Sequence, residues 1–199
     1  MWVAFMRIDA IVLAAGQSTR MGTNKMLLDV GGETLIERVV NEFLRSQVNR
    51  IILVVGFEAE RVREVVREKD VRVVCNRHYR EGMAASIREG VRHIDPETRG
   101  VLIALADHPW LTSETVDQLV DAYRRTEKGI VCPTYGGQRG HPVIFNLEKY
   151  GEALRQLEGD IGGRQVVESH QEDLLEIAVD SPSVIRDIDS WKDYEESRE

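Results

Sequence analysis

Cysteine is scarce in this sequence: there are two, Cys75 and Cys132, each beside apolar, strand-forming neighbours. Two such thiols argue against a disulfide framework, a Cys-based zinc site or a thiol nucleophile, and a reducing cytoplasm suits them best. Long apolar runs are missing too, and nothing approaches the roughly 18 residues that cross a bilayer. The opening Met1-Trp2-Val3-Ala4-Phe5-Met6 is apolar but short and lacks a small-residue cleavage pattern. It reads as an extended start or an early Met, not a signal peptide. Basic charge is in deficit, with 26 Lys and Arg against 34 Asp and Glu and a formal net charge of −8. That balance argues against nucleic-acid partners, whose phosphates need a basic face, while leaving room for a local basic pocket. Internal repeats and low-complexity tracts are also lacking.

What is present is an alternation of short apolar runs with helical patterns, as in βαβ units whose strands are buried on both faces. Strands are expected at Ile8–Ala14, Ile51–Val55, Val71–Cys75, Val101–Ala106, Ile130–Pro133 and Val143–Phe145. Apolar residues at 3.6-residue spacing predict helices over Thr34–Arg45, Glu58–Arg67, Met83–Val91 and Thr112–Arg125. Thr34 with Glu37 forms a capping box, and Thr112 or Ser113 caps the fourth helix. After residue 133 a turn-rich hairpin, Tyr135 to Pro142, precedes a strand and two helical stretches. A strand at Leu174–Val179 and a short helix at Trp191–Glu196 end the pattern, and the charged run to Glu199 reads as a solvated tail. The expectation is one α/β domain of three layers, αβα, around a mostly parallel sheet.

The first strand empties into Leu13-Ala14-Ala15-Gly16-Gln17-Ser18-Thr19-Arg20-Met21-Gly22-Thr23-Asn24-Lys25. Glycines allow sharp turns, and successive backbone N–H groups form an anion nest. Arg20 and Lys25 add fixed positive charge beside it, as a triphosphate requires. The spacing is neither that of the common Gly-Lys-Ser/Thr phosphate loop nor the Gly-x-Gly-x-x-Gly dinucleotide turn. Taken singly, Arg20 or Lys25 fits a plain surface loop equally well.

Residues Leu13 to Gly16, Ser18, Arg20-Met21-Gly22 and Lys25 resemble the signature of the molybdopterin nucleotidyltransferase family, part of the group that makes nucleotide sugars. The resemblance continues through Gly82-Met83-x-x-Ser86-Ile87, Ala106-Asp107-x-Pro109, Arg139-Gly140-His141-Pro142, Gly159-Asp160-x-Gly162-x-Arg164 and Asp187-Ile188-Asp189. It implies a Rossmann-like nucleotidyltransferase fold, with residues 1–110 binding the nucleotide and 111–199 the acceptor. Ala14-Ala15-Gly16 resembles the cytidylyltransferase branch, which implies transfer of CMP from CTP to molybdenum-molybdopterin with release of pyrophosphate. Alternatives are a guanylyltransferase or sugar-phosphate nucleotidyltransferase of the same fold, or a non-catalytic chaperone that holds the cofactor for a molybdoenzyme.

Asp107 ends a buried strand at the sheet edge where α/β proteins bind ligands, and the resemblance makes it a ligand of Mg²⁺, with Mn²⁺ as alternative. The lesser reading is that it merely starts the turn before Pro109. A second carboxylate is expected from Asp187 and Asp189, whose side chains are taken to diverge. Asp189 is the first choice for the metal and Asp187 the fallback, although Asp189 could instead cap the last helix. Arg20, Lys25 and Asp107 are the expected catalytic set. Leu13, Ala14, Ala15, Gly16, Ser18, Asn76, Gly82, Met83 and Ser86 join them in binding nucleotide, the helix start at Gly82 offering free N–H groups. Arg139, Gly140, His141, Asp160 and Arg164 are the acceptor candidates, though a hairpin tip and a helix start explain them too. His108 departs from the family pattern, which usually has Gln or Met there. His78, His93 and His170 lack metal-ligand spacing and read as surface or packing residues.

Overall fold

The computed structural model describes residues 6–197, so most of the apolar N-terminal stretch and the last two residues of the charged tail lie outside the described residues. β1 (Ile8–Ala14), β2 (Arg50–Val55), β3 (Arg72–Cys75) and β4 (Gly100–Leu105) pair in parallel in the order β3-β2-β1-β4. β7 (Val143–Asn146) runs antiparallel between β4 and β5 (Ile130–Tyr135), while β6 (Gln138–Arg139) forms the hairpin edge. β8 (Leu174–Ala178) pairs in parallel with β5, so β1–β5 and β8 all point the same way.

Alternation along β1 explains the layers. Ile8, Ala10, Val12 and Ala14 pack into one apolar cluster with α1 (Leu35–Arg45), α2 (Ala59–Val65) and α4 (Ser113–Arg125). Ile11 and Leu13 face the other cluster, built on α3 (Met83–Val91), α5 (Leu147–Arg155) and α6 (Arg164–Ser169). A strand whose successive side chains enter different cores must be apolar at every position, and all seven β1 residues except Asp9 are.

Helix starts follow local chemistry. Thr34 and Glu37 exchange both hydrogen bonds of the capping box at α1, and Thr112 rather than Ser113 accepts from the Thr115 N–H at α4. The final helix α7 (Trp191–Glu196) is capped by Ser190, not by Asp189. No described helix is long and apolar enough to cross a membrane.

Candidate active site

The chain reverses its strand order between β1 and β4, and the carboxyl ends of these two strands open onto a cleft of about 640 Å³. Such a crevice at the switch in strand order is where open α/β sheets hold ligands. One wall is the loop after β1: Leu13, Ala14, Ala15, Gly16, Ser18, Arg20 and Lys25 all line the cleft, with Gln17, Thr19 and Met26. Ser18 adopts a left-handed conformation (φ 51°), and its carbonyl accepts the N–H groups of Met21 and Gly22. Its Oγ accepts the Lys25 N–H, and the buried Asn24 side chain caps the short turn Lys25–Leu27 and donates to the Phe57 carbonyl. Lys25 is therefore launched from a fixed backbone.

The opposite wall is acidic. Asp107 follows β4, and its Oδ2 lies 2.8 Å from Lys25 Nζ. The same ammonium donates to Asp189 Oδ1 and the Ile188 carbonyl, each at 2.8 Å, while Arg20 reaches Asp189 Oδ2 at 2.8 Å. Asp107, Asp187 and Asp189 each present a carboxylate oxygen within 4.8 Å of the others. The expected divergence of Asp187 and Asp189 is therefore incorrect. Residues two apart in extended chain share a face, and Ile188 between them turns inward and is fully buried.

Electrostatics follow this packing. Burial works to lower the Lys25 pKa, but Asp107 and Asp189 outweigh it and hold the group charged. The Lys25 hydrogen bond holds Asp189 below the ordinary carboxylate range, against burial. Asp187 is pushed up by burial and by its neighbours Asp107 and Asp189. Asp107 Oδ1 is buried with no hydrogen-bond partner among the described residues. Three oxygen-bearing carboxylates, one with an unused lone-pair edge, suit a hard divalent cation such as Mg²⁺ or Mn²⁺.

Gly82, Met83 and Ser86 line the third side. The N–H groups at the start of α3 are not free as expected. Met83 N–H donates to Asp160 Oδ1 and Ala84 N–H to the Gly159 carbonyl, because loop 159–160 lies across the helix start. A side chain at Gly82 would strike that loop, its Cβ falling 2.6 Å from the Gly159 carbonyl oxygen. Asn76 is behind the wall. It is buried, donates to Ser86 Oγ at 3.0 Å and accepts the His78 N–H, which makes it a support for Ser86. Tyr79, Arg80 and Glu81 also line the cleft, on a turn whose irregular sequence gave no signal.

The acceptor candidates are not brought together. Asp160 lines the cleft, but Arg139 binds Glu176 and Gln171 beyond it, and Arg164 pairs with Glu168 on its own helix. Gly140 is wedged against the Val184 backbone. His141 turns inward, its ring edge-to-face with the buried His108 at 5.8 Å. Although His141 keeps some surface, its Nδ1 is sealed from water and without a partner. Of the remaining histidines, His78 pairs with Glu81, His93 with Glu89, and His170 packs on Tyr150. Of the thiols, Cys75 is exposed and Cys132 buried, where burial raises its pKa to about 11.

Burial, then the neighbouring His108, lower the His141 pKa to about 4. The unfolded chain thus takes up a proton near pH 6.5 that the folded chain refuses. Stability is lost as pH falls from the unfolded value toward the folded one, by about 1–2 kcal/mol after allowing for the ring's partial exposure. The expected result is that His141→Gln gains stability relative to the parent between pH 6.5 and 4 and shows no such trend above pH 7. Parallel melting curves would contradict it.

A glycine turn with two cations facing a carboxylate cluster across a parallel sheet defines the α/β nucleotidyltransferase class. Residues 10–174 match the MobA-like NTP transferase domain, and the chain belongs to that family. The molybdenum cofactor cytidylyltransferase of Escherichia coli is 25% identical over 96% of both chains. The bifunctional protein GlmU of Bifidobacterium longum subsp. infantis is 31% identical over 85% of this chain but only 36% of its own length. The chain thus spans about a third of the GlmU proteins it matches. Rv0371c of Mycobacterium tuberculosis superposes with a TM-score of 0.85 at 30% identity, covering 96% of this chain and 97% of that one. A structure of the same protein complexed with manganese gives 0.82 at 28% identity, covering 97% and 98%.

Proposed function

We propose that the protein transfers CMP from CTP to molybdenum-molybdopterin and releases pyrophosphate, with Mg²⁺ or Mn²⁺ as the metal. The observation that carries this reading is the convergence of Lys25 and Arg20 with Asp107 and Asp189 on one cleft, with Asp187 beside the two carboxylates. A cytidylyltransferase relative matched over nearly all of both chains, and the Ala14-Ala15-Gly16 turn, favour cytosine and molybdopterin over the other substrates of this fold.

An acceptor that ends in a phosphate monoester is an anion at neutral pH, since its second pKa is about 6. It needs no general base. Its phosphate oxygen attacks the α-phosphorus of CTP, the bond from that phosphorus to the bridging oxygen of the β-phosphate breaks, and pyrophosphate leaves. The protein's part is to align the reactants and offset charge. The backbone of residues 14–18 cradles the phosphates, and Arg20 and Lys25 offset the charge that builds on the departing pyrophosphate. Asp107, Asp187 and Asp189 would hold the metal, which supplies Lewis-acid relief of repulsion at the α-phosphate. Ser86, steadied by Asn76, and the Gly82 turn lie on the wall that receives the nucleoside.

Residues 1–110 supply most of the nucleotide side, but Asp187 and Asp189 reach it from the second half. Acceptor recognition falls to the rim at Asp160 rather than to Arg139, Gly140, His141 or Arg164. Arg139→Ala and Arg164→Ala are accordingly expected to keep turnover within about threefold of the parent, since neither removes a contact at the cleft. The product would pass to a molybdoenzyme in the cytoplasm.

The test is pyrophosphate release across CTP, GTP and UTP with molybdopterin and with sugar 1-phosphates as acceptors. Release with CTP and molybdopterin alone supports the reading. Activity with another pair replaces it by a relative's chemistry, and tight nucleotide binding with no turnover makes the protein a chaperone.

A further inference from the structure

Lys25 is asked to do two things that its geometry keeps apart. A lysine that meets phosphates must offer protons to them, yet every proton of this ammonium is already directed at protein oxygens. Asp107 Oδ2, Asp189 Oδ1 and the Ile188 carbonyl each lie 2.8 Å from Nζ. An ammonium has three donors, and all three are used. The place it takes is also the one a divalent cation held by Asp107 and Asp189 would need, because both carboxylates aim their oxygens at it. Two cations share that space only at a large Coulombic cost.

We propose that Lys25 is a place-holder cation in the carboxylate cluster, which a divalent metal displaces and which then turns to the triphosphate once nucleotide is bound. This deepens the nucleotidyltransferase reading and rests on its metal site. Arg20 fits the same scheme, since its 2.8 Å pair with Asp189 must also open before it can face a phosphate. The two pairs differ in setting. The Lys25 side chain is 11% exposed, whereas that of Arg20 is 76% exposed. Lys25 is thus the partner whose release has a cost in solvation, and only another positive charge among the carboxylates compensates them for its departure.

One consequence is that metal alone binds weakly and metal with nucleotide binds strongly, because the triphosphate gives Lys25 a new partner. That coupling favours entry of the metal as its nucleotide complex. A second consequence runs against intuition: removing the positive charge should improve metal binding while ruining turnover.

The experiment measures Mn²⁺ affinity by electron paramagnetic resonance, without nucleotide, for the full-length parent, Lys25→Met and Lys25→Arg. Methionine keeps the length of the side chain and loses its charge. Lys25→Met is expected to bind Mn²⁺ about tenfold more tightly than the parent, with Lys25→Arg close to the parent. Equal or weaker binding by Lys25→Met overturns the proposal. If Lys25→Met does not fold, the parent itself decides. Acetylation of Lys25 by acetic anhydride, read by mass spectrometry, should speed up when Mn²⁺ alone is added and slow again when CTP is added with it. Unchanged or slower labelling with Mn²⁺ sinks the idea. Failure of the function proposed above looks different, since the exchange would then be seen in both measurements while pyrophosphate release stayed absent for every acceptor.

Discussion

Replacing Asp107 by alanine should lower kcat about a thousandfold while changing the nucleotide Kd less than about tenfold, as expected where a group acts mainly on charge in the transition state. The asymmetry comes from position. In the proposed reaction the loop after β1 would hold the phosphates through backbone N–H groups and two cations, none of which Asp107 supplies. Asp107 instead follows β4, whose pairing with β1 and β7 fixes its backbone, and its Oδ2 points to the place beside Asp189 that Lys25 fills and a metal would take. The fold itself should tolerate the change. Oδ1 has no hydrogen bond to lose, only the 3.9 Å approach of His108 Nε2, and Lys25 retains Asp189 and the Ile188 carbonyl. Pyrophosphate release against calorimetric CTP affinity checks the prediction, and equal turnover in variant and parent removes Asp107 from the chemistry.

The elements that were legible in the sequence are those whose signal is local. β1 announces itself because both its faces enter a core, and α1 because Thr34 and Glu37 mark its first turn three residues apart. The order of strands was not legible. Nothing local in Leu174–Ala178 says that it pairs with β5, since pairing is decided by which faces are left to cover. The first loop and Asp107 stood out because a turn with cations, and a carboxylate after an apolar strand, each carry chemistry in a short stretch. Tyr79, Arg80 and Glu81 did not stand out, because an irregular turn has no period. Nor did the direction of the Met83 N–H, which depends on Asp160, 77 residues away, coming to lie on α3, nor that of the Ala84 N–H, which meets the Gly159 carbonyl of the same loop. For residues 187–189 the acidic character is legible in the sequence, whereas the expected divergence of the two carboxylates fails. The period of extended chain, with Ile188 as the buried member, brings both carboxylates to the same side.

Gly140 is expected to serve the site through the close packing it permits rather than by touching ligand. A Cβ built on it would lie 2.2 Å from the Val184 carbonyl oxygen and 2.7 Å from its carbon, both backbone atoms that cannot swing aside. The same crossing is stitched by the His141 N–H to the Val184 carbonyl at 2.7 Å, and the Gly140 N–H donates to Pro133. Gly140→Ala must therefore push the Val184 segment off the sheet. The cost should be about 3 kcal/mol or more, as for overpacking that shifts backbone, and the melting temperature should fall by roughly 10 °C. The displaced segment runs on directly to Asp187 and Asp189, so the folded fraction should also bind Mn²⁺ more weakly, whereas its acceptor KM should move little. Thermal melts, Mn²⁺ titration and acceptor kinetics separate this account from direct recognition. A variant with the parent's melting temperature and a raised acceptor KM would mean that Gly140 faces the acceptor, and that the close approach to Val184 is not what requires glycine there.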